Sequence, residues 1–439
     1  MAKPNLAYIP ATIGNKVYSI LPNDSVGDFD FTRGSEATRI NAQGLIETVA
    51  SGENRLNYSL LDGEVVGCPH LLLEDEATNS IPYSEDATNW STLNSSVLAT
   101  SNQVISPDGT LNADKLIPAS GSVTSNGGRY INFSSTASTD YSVSVFVKQG
   151  EYRYVTFSYG GQFAYGFHFD LQDGVIIQEL SNAQYTSISR EVESFANGWY
   201  RLKISLTDTV SQAARFISVR PANELPTAIN NNYATTGDGT SGIYVWGLQI
   251  EEGSYATSYI KSNSGSATTR VAETCDGSGN AATFNDSEGV LMAEIAALAD
   301  DGAFRVISLD GGDNTNIVKF GYRTTSNAIY YEVRSGDVSQ AFQIYTTTDV
   351  KEFHKVAVLY QQNNFKLFIN GVNVLSDTSG VTPVGLNNLS FGIGASANFY
   401  GNTKQIQYFD STLTDTELEQ LTSWDSFRAM AEGQLYTIE

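Results

Sequence analysis

The chain has 439 residues, and 48 Asp and Glu against 25 Lys and Arg leave a formal charge of −23. At about 100–200 residues per domain this length suits two to four domains, and so negative a charge argues against a nucleic-acid partner, whose affinity comes mainly from Lys and Arg neutralising phosphates. With 41% hydrophobic and only 17% charged residues there is material for large cores, so the chain is not a disordered acidic tail.

The 24 Tyr, 21 Phe and 38 Gly suit short strands joined by turns and predict an all-β fold. Cys68 and Cys275 lie far apart, give neither a disulfide framework nor a zinc spacing, and are expected to be buried free thiols. No apolar stretch approaches the roughly 20 residues of a membrane-crossing helix, and the N-terminus lacks the apolar core of a secretory signal. The expectation is synthesis in a cytoplasm and no membrane insertion.

Residues 1–84 place turn formers such as Gly27-Asp28 and Asn41-Ala42-Gln43-Gly44 between brief apolar segments, with too few apolar residues for a core of their own. They read as a docking and oligomerisation region that packs on a neighbouring domain or subunit. Over 85–265 the alternation is clear: Tyr141, Val143, Val145 and Val147 share one face of a half-buried strand. Further strands are expected at 152–157, 165–170, 199–204, 215–219 and 243–250, which together predict an antiparallel sandwich or jelly roll. Residues 261–266 read as a linker.

A second sandwich is expected over 266–439, with strands at 289–294, 304–309, 354–360 and 365–369. Asn370-Gly371 supplies a type I′ hairpin turn, because both residues tolerate positive φ. Thr414-Asp-Thr-Glu417 forms a capping box that opens one short helix at 415–422, and 425–439 reads as an exposed tail. An internal echo links Gly34-Ser-Glu-Ala-Thr-Arg39-Ile40 with Gly265-Ser-Ala-Thr-Thr-Arg270-Val271. Either each Arg binds carbonyls or a carboxylate of the adjoining domain, or the similarity is chance in a Ser/Thr-rich chain.

The run from Phe29 through Thr32-Arg33-Gly34-Ser35 to Glu47, continued by Asn54-Arg-Leu-Asn-Tyr58, Cys68-Pro-His-Leu-Leu-Leu-Glu74, Ala77-Thr-Asn79 and Tyr83-Ser-Glu-Asp86, resembles a block in virion structural proteins of tailed bacteriophages, fibres and appendages among them. Head and tail fibres are both compatible with it. Residues 86–265 resemble jelly-roll carbohydrate-binding modules through Asn197-Gly-Trp-Tyr-Arg-Leu202 and through Trp246-Gly-Leu-Gln-Ile-Glu251 ending in Gly253-Ser-Tyr255-Ala-Thr-Ser-Tyr-Ile260. The third region resembles laminin G-like, concanavalin A-like sandwiches through Phe353-His-Lys-Val-Ala-Val358, Phe365-Lys-Leu-Phe-Ile-Asn-Gly371 and Ile406-Gln-Tyr-Phe-Asp410. Phe353 stands where that family commonly has Trp.

Sugar recognition needs aromatic faces and planar amides or carboxylates. Candidates in the middle region are Trp90, Tyr130, Tyr152, Tyr154, Tyr159 and Tyr165, with Tyr152 and Tyr154 on one strand face and Arg153 on the other. The competing reading makes these rings core or cross-strand pairs, because large aromatics are mostly buried. Trp199 and Trp246 are assigned to the core. In the third region a second candidate edge carries Asn327, Tyr330, Tyr331, Asn370, Phe399 and Tyr400. Asp310, Asp313 and Asn314 form an acidic loop that could offer a structural calcium a few of its roughly six to eight oxygens, or be a solvated turn. No cofactor is required.

For catalysis, His168 and Asp170 share a strand face, as do Glu191 and Glu193, but no nucleophile motif accompanies them. The polar face of a strand explains both pairs more simply. The expectation is a non-enzymatic virion appendage on the particle exterior. Residues 1–84 dock onto other virion proteins, the chain assembles as a homo-oligomer with a trimer as the guess, and the sandwiches contact host-surface polysaccharide. The rivals are a spacer without glycan affinity and a polysaccharide depolymerase.

Overall fold

In the computed structural model the described residues are 3–93, 96–123, 127–160, 165–226, 235–393 and 396–424, so the tail expected at 425–439 lies outside them. Among these residues the fold is all-β with one short α-helix, and every strand pair is antiparallel. In the middle region one six-stranded sheet runs Val97–Ile105, Leu111–Pro118, Ile243–Glu252, Thr139–Gln149, Trp199–Asp208, Tyr185–Phe195. The other runs Ser91–Leu93, Gly128–Ser135, Gln212–Ala222, Tyr154–Tyr159, Tyr165–Asp170, Val175–Leu180. Tyr141, Val143, Val145 and Val147 enter the core between them with Phe157, Phe167, Leu202 and Ile204, as the alternation required.

Thr139–Gln149 is nevertheless buried on both faces rather than half-buried. Phe146, on the outer side, packs in a second cluster with Trp199, Trp246, Phe195, Tyr259 and, from the first region, Ile46. A polar outer face is the rule only where water covers the sheet, and here another part of the chain does.

The third region has a five-stranded sheet, Val338–Thr346, Ala328–Ser335, Ile317–Tyr322, Arg305–Asp310, Asn388–Ser390. Facing it lie Gly401–Phe409, Glu288–Ala297, His354–Gln361, Asn364–Ile369 and Val372–Asp377. The first region is built into that second sheet. Leu6–Tyr8 pairs with Gly401–Phe409, Leu6 opposite Tyr408, and Glu64–Leu73 pairs with the same strand further along, Leu71 opposite Thr403. Leu6, Tyr8, Leu71 and Leu73 enter the same core as Leu291, Ile295 and Ile406, which explains how a segment so poor in apolar residues folds. Cys275 is buried as expected, whereas Cys68 is exposed, because it lies on the outer part of Glu64–Leu73, which pairs only with Leu56–Leu61.

The chain leaves this body after Ala77–Asn79 and returns at Thr268–Arg270, and those two strands pair, Thr78 opposite Thr269. The middle sandwich is therefore an insertion between adjacent strands. The expected linker at 261–266 is docked as well, since Ser84 N donates to Ser262 O at 2.7 Å and Asn263 Nδ2 to Glu85 at 2.7 Å.

A buried charge cluster closes the joint. Glu273 accepts from Arg33 Nη1 at 2.7 Å and from Arg55 Nε at 2.9 Å, and pairs again with Arg55 Nη2. Glu74 accepts from Arg55 at 2.7 Å and lies 3.0 Å from Arg270, and Ser258 of the middle region donates to it through N at 2.8 Å and Oγ at 2.6 Å. The Glu74 carboxyl shows the balance: burial alone would raise it, but Arg270 and Arg55 bring it to about 2. Of the two echoed arginines, Arg270 joins this cluster, while Arg39 pairs with Glu47 inside its own hairpin. The echoed segments also touch each other, Val271 N donating to Ser35 Oγ at 3.1 Å.

The helix Asp415–Thr422 begins with the expected capping box at Thr414 and Glu417. It lays Leu418 and Leu421 against Met292, Leu359 and Phe368 on the outer face of the sheet that holds Glu288–Ala297 and His354–Gln361. Asn370 and Gly371 both have positive φ, 49° and 81°, as a type I′ turn demands.

Candidate functional site

Most of the aromatic candidates are core. Trp90, Tyr152, Tyr159, Tyr165 and Tyr330 are buried, as are Tyr331 and Phe399, and the polar ends in the middle region are used internally. Trp90 Nε1 donates to Tyr83 O at 2.8 Å, Tyr152 Oη to Thr236 O at 3.1 Å, Tyr159 Oη to Asp208 at 2.9 Å, and Tyr165 Oη to Ser187 Oγ. These rings close the space between two sheets, so they offer no face to a ligand. Tyr152 precedes the strand Tyr154–Tyr159, and the two rings share no face: Tyr152 points into the core, whereas Tyr154 is half-buried under the Arg153 guanidinium, 5.4 Å from its ring centre. Tyr130 and Tyr400 are likewise half-buried, Tyr130 edge-on to Phe216 and Tyr400 Oη accepting from Asn398 at 3.0 Å. Trp199 and Trp246 are core, as expected.

The acidic loop does not gather its oxygens. Asp310 is buried and accepts from Ser308 Oγ and from Gly312 N at 2.7 Å. Asp313 turns outward to Thr315, and Asn314 Oδ1 accepts from Lys319 Nζ at 2.7 Å. An ammonium already occupies one of the three candidate ligands, and among the described residues no group of three or more His, Cys, Asp or Glu is placed to hold a metal. His168 bonds Thr156 Oγ1 through Nδ1 at 2.6 Å, and Asp170 is taken by Arg153 at 2.9 Å, so the two do not act on each other.

Glu191 and Glu193 lead to a different feature. Both project from Tyr185–Phe195 on the outer face of the middle sandwich, where Glu191 stands opposite Lys203 and Glu193 opposite Arg201. Lys203 pairs with Glu193 and lies 3.8 Å from Glu191, and Lys351 of the third region reaches Glu191 at 3.8 Å. Burial opposes ionisation of Glu193, but Lys203 and Arg201 outweigh it and hold its carboxyl below the usual range.

These side chains floor a trough where the three regions meet. A cavity of about 370 Å³ is bounded by Arg39 and Asn57 of the first region, Glu193 and Lys203 of the middle one, and Lys351 and Asn402 of the third. It shares Asn57, Glu193 and Asn402 with a neighbouring cavity of about 390 Å³ that also reaches His70, and Glu191, Lys203, Tyr255 and Lys351 with another of about 420 Å³. The three make one continuous depression with the half-buried Tyr255 on its wall. Period-2 reading placed Glu191 and Glu193 on one face. Asn57 and Tyr255 fall within motifs that carry the family resemblances but were not read as site residues, and nothing in the linear chain marked Asn402; the three border one depression only because the middle sandwich folds back on the body it interrupts.

Among known proteins, residues 280–419 match the profile of the concanavalin A-like lectin/glucanases superfamily. Comparison with curated protein sequences gives no match. Similar solved structures include a carbohydrate-binding module of the Ruminococcus gnavus IT-sialidase bound to α2,3-sialyllactose, at 16% identity and a TM-score of 0.28, covering 32% of this chain and 84% of that one. Domain 4 of the arabinanase AbnA from Geobacillus stearothermophilus, in complex with arabinotriose, is similar at 12% identity and a TM-score of 0.28, covering 35% of this chain and 73% of that one. A pentraxin from Limulus polyphemus is similar at 11% identity and a TM-score of 0.27, covering 32% and 72%.

Proposed function

We propose that this chain is a non-catalytic appendage of a bacteriophage virion that binds host-surface glycan. The observation that carries the glycan reading is the trough: carboxylates, ammonium and guanidinium groups, amides and a tyrosine ring converge on one depression, which is the mixture a polyhydroxylated ligand needs. The lectin/glucanase-superfamily match over 280–419 supports it, and the resemblance of residues 28–90 to virion structural proteins supports the location. Several copies on one particle, a trimer in the simplest form, would turn weak single sites into firm attachment.

The test is adsorption of labelled full-length protein to candidate host cells with and without excess soluble host polysaccharide. Saturable binding that the polysaccharide abolishes, with polymer length unchanged after incubation, is the expected result. Loss of polymer length would replace the binding reading with a depolymerase, and no binding across permissive hosts would overturn the receptor role.

A further inference from the structure

We infer that the trough is a composite site for an uncharged stretch of polysaccharide, in which the first region, the middle sandwich and the third sandwich each supply contacts. This inference rests on the glycan reading above and narrows it to one place and one chemical class.

The class follows from how the charges on the trough are already used. Lys203 and Lys351 face Glu193 and Glu191, Arg39 is held by Glu47, and Arg201 donates to Ser144 Oγ at 3.0 Å and Thr257 O at 2.8 Å. At Lys203, Lys351 and Arg39 a carboxylated or sulfated ligand would have to compete with an internal carboxylate, and it would approach against the field of a chain of charge −23. Hydroxyls face neither obstacle. Each paired ammonium keeps further N–H donors and each carboxylate further lone pairs, so a neutral sugar finds both roles without breaking a pair.

Two side chains lining the second cavity carry buried polar atoms without a hydrogen-bond partner, His70 Nδ1 and Asn402 Oδ1. Asn57 Oδ1 accepts from Ile40 N at 2.8 Å, so its Nδ2 donates to His70 Nε2 at 3.0 Å, and that leaves the imidazole proton on Nδ1. One orphan is therefore a donor and the other an acceptor, the pair of roles that a hydroxyl fills; both atoms are covered, so a sugar hydroxyl reaches them only as the wall opens.

Composite character follows from the walls. Arg39 comes from the first region, Glu191, Glu193 and Lys203 from the middle sandwich, and Lys351 and Asn402 from the third. No one region carries the lining by itself.

The experiment separates host polysaccharide by anion exchange into uncharged and acidic fractions and measures binding of each to the full chain and to the variants Arg39→Ala, Glu191→Ala and Lys351→Ala. Glu419→Ala, on the exposed helix face, is the control. Unfolding midpoints confirm that each variant is folded. The uncharged fraction should bind, and each of the three substitutions, one per region, should weaken binding about tenfold, as expected for loss of one charged hydrogen bond, while the control leaves it unchanged. Binding of the acidic fraction alone would overturn the ligand class. Binding of the uncharged fraction that none of the three substitutions weakens would overturn the composite site and leave glycan binding standing. Binding of neither fraction would overturn both.

Discussion

His70 sits in the trough wall beside Phe353 and is buried. Burial, with Lys404 nearby, pushes its imidazole down to about 3 from an ordinary 6.5. Between those values the unfolded chain binds a proton that the folded chain does not, so stability falls as pH drops through that window, by up to about 1.4 kcal/mol per pH unit. Asp114 and Asp276 act with the opposite sign. Burial raises both to about 6, with Asp310 adding to the shift at Asp276, so between about 6 and 3.8 they take up protons in the folded state first and stability rises as pH falls. The His70 contribution is therefore read by difference: in urea unfolding at pH 7 and pH 4, the wild-type chain should lose more stability than His70→Gln. Equal losses would show that the imidazole is not neutral in the folded chain. At this scale the sequence identified which residues are aromatic or charged, but not which would be covered. Tyr159 and Tyr165 became core because the opposing sheet closes over them, and alternation alone cannot say which face of a strand that sheet will meet.

Element by element, alternation and turn chemistry located part of the strands, while Leu111–Pro118, Gly128–Ser135, Ile317–Tyr322, Ala328–Ser335 and Val338–Thr346 were not singled out and the strand expected at 152–157 runs Tyr154–Tyr159. Tyr165–Asp170 and the helix Asp415–Thr422 lie at the expected residues, and several other strands extend beyond theirs by a few positions. The helix was legible because its start is a local hydrogen-bond exchange between Thr414 and Glu417. Its destination was not, since Leu418 and Leu421 would suit any apolar surface. Packed on Met292, Leu359 and Phe368, Leu418 is fully buried. Leu418→Ala should therefore cost about 2–5 kcal/mol in chemical denaturation. A cost below about 1 kcal/mol, the level of a surface change, would mean that the helix does not seal this face.

At the scale of the whole molecule, residues 3–79 and 268–424 form one body and the middle sandwich is inserted into it. The buried carboxylates Glu74 and Glu273 bind arginines on both sides of that insertion, and Ser258 and Arg201 carry the contact into the middle sandwich. Calorimetry of the full chain should show a single unfolding transition. In Glu74→Ala, Ser258 of the middle sandwich loses its acceptor and Arg55 and Arg270 lose a shared counter-ion in a dry site, a change that costs about 3–5 kcal/mol when one partner of a buried pair is removed. The endotherm of this variant should shift down and split as the middle sandwich uncouples. Two transitions already in the wild-type chain would show that the joint does not transmit stability between the bodies.

What the sequence by itself determined here is what depends on near neighbours along the chain: the all-β character, the strands with clear alternation, the hairpin at Asn370-Gly371, the helix start, and the lack of an independent core in residues 1–84. Alternation, positive φ and capping all act within a few residues, so they can be read locally. Only the tertiary structure decided that Leu6–Tyr8 and Glu64–Leu73 complete a sheet whose other strands begin at Glu288, that Glu273 meets Arg33 and Arg55, and that Glu191, Lys351 and Asn402 border one trough. Most of those contacts join residues more than a hundred positions apart, and their partners are chosen by burial and charge pairing once the sheets have closed.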